Sequence, residues 1–383
     1  MANAQESELS YAFGDALPGR GRTLPVAEGI RWLRMRLPFA LDHINLWLLR
    51  DHEDTPAGRR EGWAVVDCGI DNEGTRDAWE QVFATELQGL PVLRVICTHM
   101  HPDHIGLAHW LTARWQCRLW ISATDWNAAR VASTGIGDAH SGHGAADFYA
   151  RHGMNDPVAL AELRARANVY ASMVRKVPDQ FRRLMDGSRL RIGANEWRCI
   201  AGYGHAPEHI ALHCADIDGA PEAPAAPPPQ GGAAGLGTAR RPAGTLIAGD
   251  MVLPRISTNI SVYDTEPEAN PLPLYLESIE AMRSLPADTL VLPSHGKPFT
   301  GLHRRIDQLL RHHEDRCAEV LQACAAAPCS AADLLPVMFK RELDTQQTTF
   351  ALGEAVAHVH ALLAAGRLRE VRQGDGVLRY AAA

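Results

Sequence analysis

Six consecutive positions carry three histidines and an aspartate, His99, His101, Asp103 and His104, in the segment THMHPDHIG. They directly follow VLRVICT, Val92 to Thr98, which is apolar almost throughout, as in a short strand covered on both faces. This junction constrains the fold more than any other feature of the chain. A turn leaving the C-terminal end of a buried strand can fan alternate side chains into one cavity, so that His99 and His101 hold one metal ion while Asp103 and His104 hold another. A solvated polar loop is the alternative, and such dense clustering argues against it. Imidazole with carboxylate suits zinc, and also iron or manganese, so the donor types leave the metal open.

Three later residues sit at the ends of predicted strands: His205 in GYGHAPEHI, Asp250 in IAGDM and His295 in LPSHG. With the first cluster they provide five histidines and two carboxylates, enough for two divalent ions that keep open positions for water. Asp250 is placed to bridge the two.

The rest of the chain reads as alternating strands and helices. IRWLRMRLP, INLWLLRD and GWAVVDCGI are strands of a hairpin-rich sheet. Past the histidine cluster, GLAHWLTARW is helical, RLWIS is a strand, and TDWNAARVA opens a helix with Thr124 as its N-cap. Residues 135–186 read as a Gly/His-rich loop with helical stretches, an insertion expected to act as a lid or pocket wall. WRCIAGY and IALHCADI flank His205, and TLIAGD and DTLVLPSHG are further strands. The Pro-, Ala- and Gly-rich segment 219–244 cannot support a packed core and is expected to be a disordered hairpin tip. After Leu302 a helix places Ile306, Leu309, Leu310, His313, Cys317 and Val320 on one face. SAADLLPVMF and the stripe Leu352, Val356, Val359, Leu363, closed by Gly366, follow as helices, and RLREVR, QGDG and VLRY form a hairpin. The expected division is an N-terminal extension over 1–24, a main domain over 25–302 and a winged-helix-like module over 303–383.

Taken together, HxHxDH, a GHxPxH-like segment, GD and SHG, in this order and at these spacings, resemble the metallo-β-lactamase superfamily over roughly residues 25 to 300. The resemblance implies an α/β (α+β) fold, the αββα sandwich of that family. It assigns His99, His101 and His205 to one ion, Asp103, His104 and His295 to the other, and Asp250 to both. Asp67 in VVDCGI matches the family's first motif, whose acidic residue supports the ligands without binding metal. One departure is clear: the familiar GHTPGH reads GHAPEH, with Ala206 and Glu208 in place of small or hydroxyl-bearing residues. His205 is retained, and His209 is expected to support the site or cap its strand. His140 and His143 are expected to line the pocket or lie on the surface, and His312 and His313 to be half surface and half helix face. With its tail, the chain is similar to the lactamase-beta-2-like, or glyoxalase II-like, group, which includes thioesterase-like hydrolases and an RNA endonuclease.

The chemistry so implied is attack of a metal-activated water on an acyl carbon, with Asp103 or Asp250 exchanging a proton with the leaving group. A thioester or ester of a small molecule is the leading substrate class. Lactones, phosphodiesters including RNA, and β-lactams follow, the last disfavoured because no secretion signal is seen. A winged-helix nucleic-acid-binding protein with a vestigial metal domain is the non-enzymatic alternative. The net charge of −7 and pI near 6.2 give no global attraction to nucleic acid or anionic membranes. In the tail, Arg304, Arg305 and Arg311 are interrupted by Asp307, Glu314, Asp315 and Glu319, so nucleic acid is disfavoured as a partner and homodimerisation remains open. A hydrophobic content of 46% suffices for a large core, yet no apolar run reaches the roughly 18 to 20 residues of a membrane span; LPFALDHINLWLL is broken by Asp42 and His43. The polar start MANAQESELSYAFGDALPG and eight cysteines without a CxxC pair, including Cys97 and Cys199 in strand-like runs, fit a cytoplasmic protein with reduced thiols.

Overall fold

The computed structural model describes residues 5–134, 142–165, 169–217, 219 and 241–383. His140 and residues 220–240 of the segment 219–244 lie outside the described residues. Four strands open the first sheet as an antiparallel meander: β1 (Thr23–Ala27), β2 (Ile30–Arg36), β3 (His43–Thr55) and β4 (Gly58–Val66). Helix α1 (Glu73–Thr85) then returns the chain to β5 (Val92–Ile96), parallel to β4. After α2 (Pro102–Ile105) and α3 (Ala108–Trp115) comes β6 (Arg118–Ser122), parallel to β5. Helices α4 (Ala123–Thr134), α5 (Gly142–Arg151), α6 (Pro157–Ala165) and α7 (Val169–Met173) precede β7 (Phe181–Leu184), which pairs with β6 at the sheet edge.

The second sheet contains β8 (Arg189–Ile192), β9 (Asn195–Gly202), β10 (His209–Cys214), β11 (Thr245–Gly249) and, after α8 (Pro271–Ala281), β12 (Leu290–Pro293). Its order is β12-β11-β10-β9-β8, with only the β11–β12 pair parallel. The tail consists of α9 (Leu302–Ala326), α10 (Ala331–Met338), α11 (Thr345–Ala364) and a hairpin of β13 (Leu368–Val371) and β14 (Arg379–Ala382).

Strict alternation along the strands builds the layers, because successive side chains point to opposite faces. On β3, Leu46 and Leu48 face a core shared with Trp79 and Val82 of α1 and Leu111 of α3, whereas Trp47 and Leu49 face the second sheet. On β11, Ile247 joins that inter-sheet core, and Leu246 and Ala248 face Leu272 and Ile279 of α8 and Ile306 of α9. Helices, sheet, sheet and helices follow in that order, the αββα sandwich.

Two details differ from the sequence reading. The helix cap is the hydroxyl of Ser122, which accepts from the Asp125 N–H at 3.2 Å, and Thr124 lies inside α4 instead. Residues 181–184, read as part of a helical insertion, form strand β7; the adjacent arginines Arg182 and Arg183 hide the period, and Arg182 lies 4.3 Å over the Trp120 ring. The tail has the expected order of three helices and a hairpin, but no linker separates it from the sandwich: Leu302, Ile306, Val356 and Tyr380 share one core with Leu246 and Val291. Helix α5 joins that core through Phe148 and Tyr149, and its end is sewn to the tail by Ala332 N–H to His152 O and Leu378 N–H to Arg151 O. All eight cysteines are free, Cys97 and Cys199 among the buried ones. Among the described residues no helix is long and apolar enough to cross a membrane.

Candidate metal centre

One edge of the sandwich collects the ends of β5, β11 and β12 and the start of β10, and the seven residues named from the sequence converge there. Their potential ligand atoms form two groups: His99, His101, His205 and Asp250, and Asp103, His104 and His295, with the atoms of each group within 4.8 Å of one another. Asp250 reaches both. One carboxylate oxygen is 3.3 Å from His205 Nε2 and 3.6 Å from His104 Nε2; the other is 3.4 Å from His295 Nε2. Asp103 stands 3.5 Å from His295 and 3.7 Å from His104, and it is more exposed than Asp250.

Three imidazoles are turned inward by fixed acceptors on their outer nitrogens. His104 Nδ1 is 2.9 Å from Asp67 Oδ2, His205 Nδ1 donates to Asn259 O at 2.8 Å, and His295 Nδ1 donates to His43 O at 2.7 Å. In each, Nδ1–H is thereby the donor and Nε2 the free lone pair that a metal needs. His99 Nδ1 lies 3.0 Å from Thr98 Oγ1, and its Nε2 is 3.0 Å from His101 Nδ1. Asp67 adopts a left-handed backbone, φ 61°, and its carboxylate also takes the N–H and hydroxyl of Thr98. A costly conformation held by three partners marks a residue that the site over-determines.

His209 lies outside both groups. Its ring centroid is 5.0 Å from that of His99, and its Nε2 accepts the Asp250 N–H at 3.3 Å. Gly249 makes room for it: φ is 54°, and a Cβ there would stand 2.0 Å from His209 Nε2. His143 is exposed on α5. His312 is partly exposed, while His313 is fully buried with Nδ1 3.2 Å from His358 Nε2. Thr98, Asn259 and His43 were not foreseen, since two of them act through main-chain carbonyls that any residue possesses.

The charge pattern is that of a cation site. Burial, followed by the neighbouring imidazoles, holds His99 and His101 well below the usual histidine range. Burial also opposes charge on His104 and His295, but Asp67 and Asp250 respectively, with Asp103, overcome it and raise both. Burial opposes ionisation of Asp250 as well, and His295 and His104 outweigh it, so its carboxyl is held well below the ordinary range. His104 Nε2, His205 Nε2 and Asp250 Oδ1 are buried without a hydrogen-bond partner. Buried polar atoms normally have one, so these donors facing one another fit bound cations.

Comparison with known proteins agrees in both halves of the chain. Residues 42–295 match the family described as the metallo-beta-lactamase superfamily, and residues 317–383 match its metallo-beta-lactamase-like, C-terminal domain. The chain is 20% identical to the probable metallo-hydrolase YqjP of Bacillus subtilis (strain 168) over 358 residues, 91% of this chain and 97% of that protein. A solved beta-lactamase domain protein from Burkholderia ambifaria is 50% identical, with TM-score 0.86 and full coverage, 100%, of both chains. A metallo-beta-lactamase family protein from Thermus thermophilus is similar in fold, with TM-score 0.69 at 23% identity, covering 94% of this chain and 100% of that one.

Proposed function

The chain belongs to the metallo-beta-lactamase superfamily, and on that premise we propose that it is a dinuclear metal-dependent hydrolase acting on a thioester or related acyl ester of a small molecule. The observation that carries this reading is the reach of Asp250 into both ligand groups, with inward-facing lone pairs left partnerless around it. His99, His101 and His205 would hold one ion, Asp103, His104 and His295 the other, and Asp250 both; zinc suits these donors best, with iron and manganese compatible. When bound, two divalent cations lower the pKa of a water toward about 7 and polarise a carbonyl oxygen.

The chain's own residues do the rest. Asp67, Asn259 and His43 hold His104, His205 and His295 in one tautomer, so the ligand set is preorganised. Asp103, the more exposed of the two carboxylates, is placed to return a proton to the departing thiol or alcohol, with Asp250 behind it. The relative named as a probable metallo-hydrolase supports the hydrolytic class. Eight free thiols suit a reducing compartment, so we place this activity in the cytoplasm.

The test is metal analysis of the purified protein with a hydrolysis screen over acyl-thioesters, lactones, β-lactams and bis-p-nitrophenyl phosphate. About two ions per chain and chelator-sensitive thioester turnover are expected. Turnover of the phosphate alone would move the assignment to phosphodiester chemistry, and a protein with no bound metal and no turnover would refute it.

A further inference from the structure

The HxH turn after β5 and the GHAPEH turn before β10 belong to different sheets, yet both must bring imidazoles to one point. Behind those imidazoles, Asp125 at the start of α4 is fully buried and takes hydrogen bonds from both turns. Its Oδ1 accepts the Met100 N–H at 2.8 Å, between His99 and His101. Its Oδ2 accepts the Glu208 N–H at 2.6 Å, between His205 and His209. The Ser122 hydroxyl, 3.2 Å from Oδ2, completes its partners. We propose that Asp125 is a positioning residue that sets the separation of the two turns and thereby the geometry of the His99, His101 and His205 group. The proposal rests on the metal-centre reading above.

Two features make this more than ordinary satisfaction of a buried carboxylate. First, the imidazoles of the two turns pack against one another, but among the described residues the main-chain hydrogen bond between them is Ile210 N–H to Thr98 O, at 2.8 Å, at their strand ends. Asp125 adds two fixed points beyond it, each on the residue between two histidines, so displacement of either N–H rotates a pair of imidazoles together. Second, neighbours of Asp125 hold the same two residues by other atoms. Thr124 donates its hydroxyl to Glu208 Oε2 at 2.8 Å, and Tyr170 of α7 donates to Met100 O at 2.6 Å. Met100 is thus gripped at both its N–H and its carbonyl. The second group has outer anchors of its own, Asp67 for His104 and His43 for His295, although Asp250 reaches both groups. The effect of losing Asp125 is therefore expected to fall more heavily on the first group, which a general loss of stability would not produce.

The test is competitive zinc titration of the full-length protein against a chromophoric chelator, with wild type, Asp125→Asn and Asp125→Ala. Variants His101→Ala and His295→Ala identify which binding step belongs to which group. Loss of an outer support weakens metal binding about 10- to 100-fold. That loss is expected in Asp125→Ala for the step abolished by His101→Ala, with the other step weakened much less. Asp125→Asn, which retains one acceptor and turns an amide toward the other N–H, is expected to fall between, and it keeps the test decisive if the alanine variant does not fold. The visible spectrum of the cobalt(II)-loaded protein gives a second readout, expected to change in the same step. Wild-type binding at both steps in a folded variant would overturn the proposal, as would equal weakening of both steps alongside a lower melting point of the metal-free protein. Wild type that binds no zinc refutes the metal-centre reading itself, a result distinct from either.

Discussion

At the scale of single residues, the site is a matter of which nitrogen is free. His101 belongs to one ligand group, whereas His312 lies on α9, in neither group. His101→Ala is expected to lose one ion per chain and turnover together, and His312→Ala to change neither, as metal analysis and a hydrolysis assay would read. All seven side chains that converge were legible in the sequence because imidazoles and carboxylates at strand ends have a spacing that can be counted. Their supports were less so. Asp67 was recognisable through its motif, but Asn259 and His43 contribute main-chain carbonyls, which leave no trace in residue type. Asp125 carries nothing in the sequence that sets it apart from other acidic residues near a helix start, where such residues are common.

At the scale of elements, the start of α10 carries a reciprocal cap. Ser330 Oγ accepts the Asp333 N–H, and the Asp333 carboxylate takes the Ser330 N–H at 2.8 Å. The next turn residue, Ala332, donates to His152 O, so this cap also holds the end of α5. Ser330→Ala is expected to cost about 1 kcal/mol in urea unfolding and to speed hydrogen exchange at Ala332. Strands were the more readable elements, since β3 and β11 carry short apolar runs bounded by turn residues. β7 escaped because four residues with two central arginines are too short to show a period, and its pairing with β6 supplies what the local pattern lacks.

Over the whole molecule, buried histidines away from the centre set a pH dependence. Burial holds His152 and His358 down to about 4. Their folded pKa lies below the unfolded value of about 6.5, so their stabilising effect is fully present above that pH and is lost as pH falls toward 4. Glu354 runs the other way: burial pushes its carboxyl up to about 7, so its contribution is present below its unfolded value and is lost as pH rises through 7. Each unit of displacement corresponds to about 1.4 kcal/mol. The urea midpoint of the metal-free protein is expected to fall below pH 6.5, with a shallower slope in His152→Phe; an unchanged slope would show that His152 does not contribute. The αββα layering was legible through the family resemblance that the motif order carries. The fusion of tail and sandwich was not, because a continuous core arises from residues far apart in sequence.

That fusion also governs the order in which the chain can be finished. Helix α5 emerges during synthesis long before the strand that covers it, since Leu378 and Tyr380 come from the last hairpin and reach back to Arg151 and Cys329. Until those residues leave the ribosome, the core that Phe148 and Tyr149 join lacks Tyr380, and Arg151 O lacks its Leu378 N–H. Domains generally fold as units as they emerge, and here α5 gains its Leu378 bond only once the β13–β14 hairpin is made. A protein clipped at its C-terminus would therefore fray far from the cut, at a helix made early and closed last.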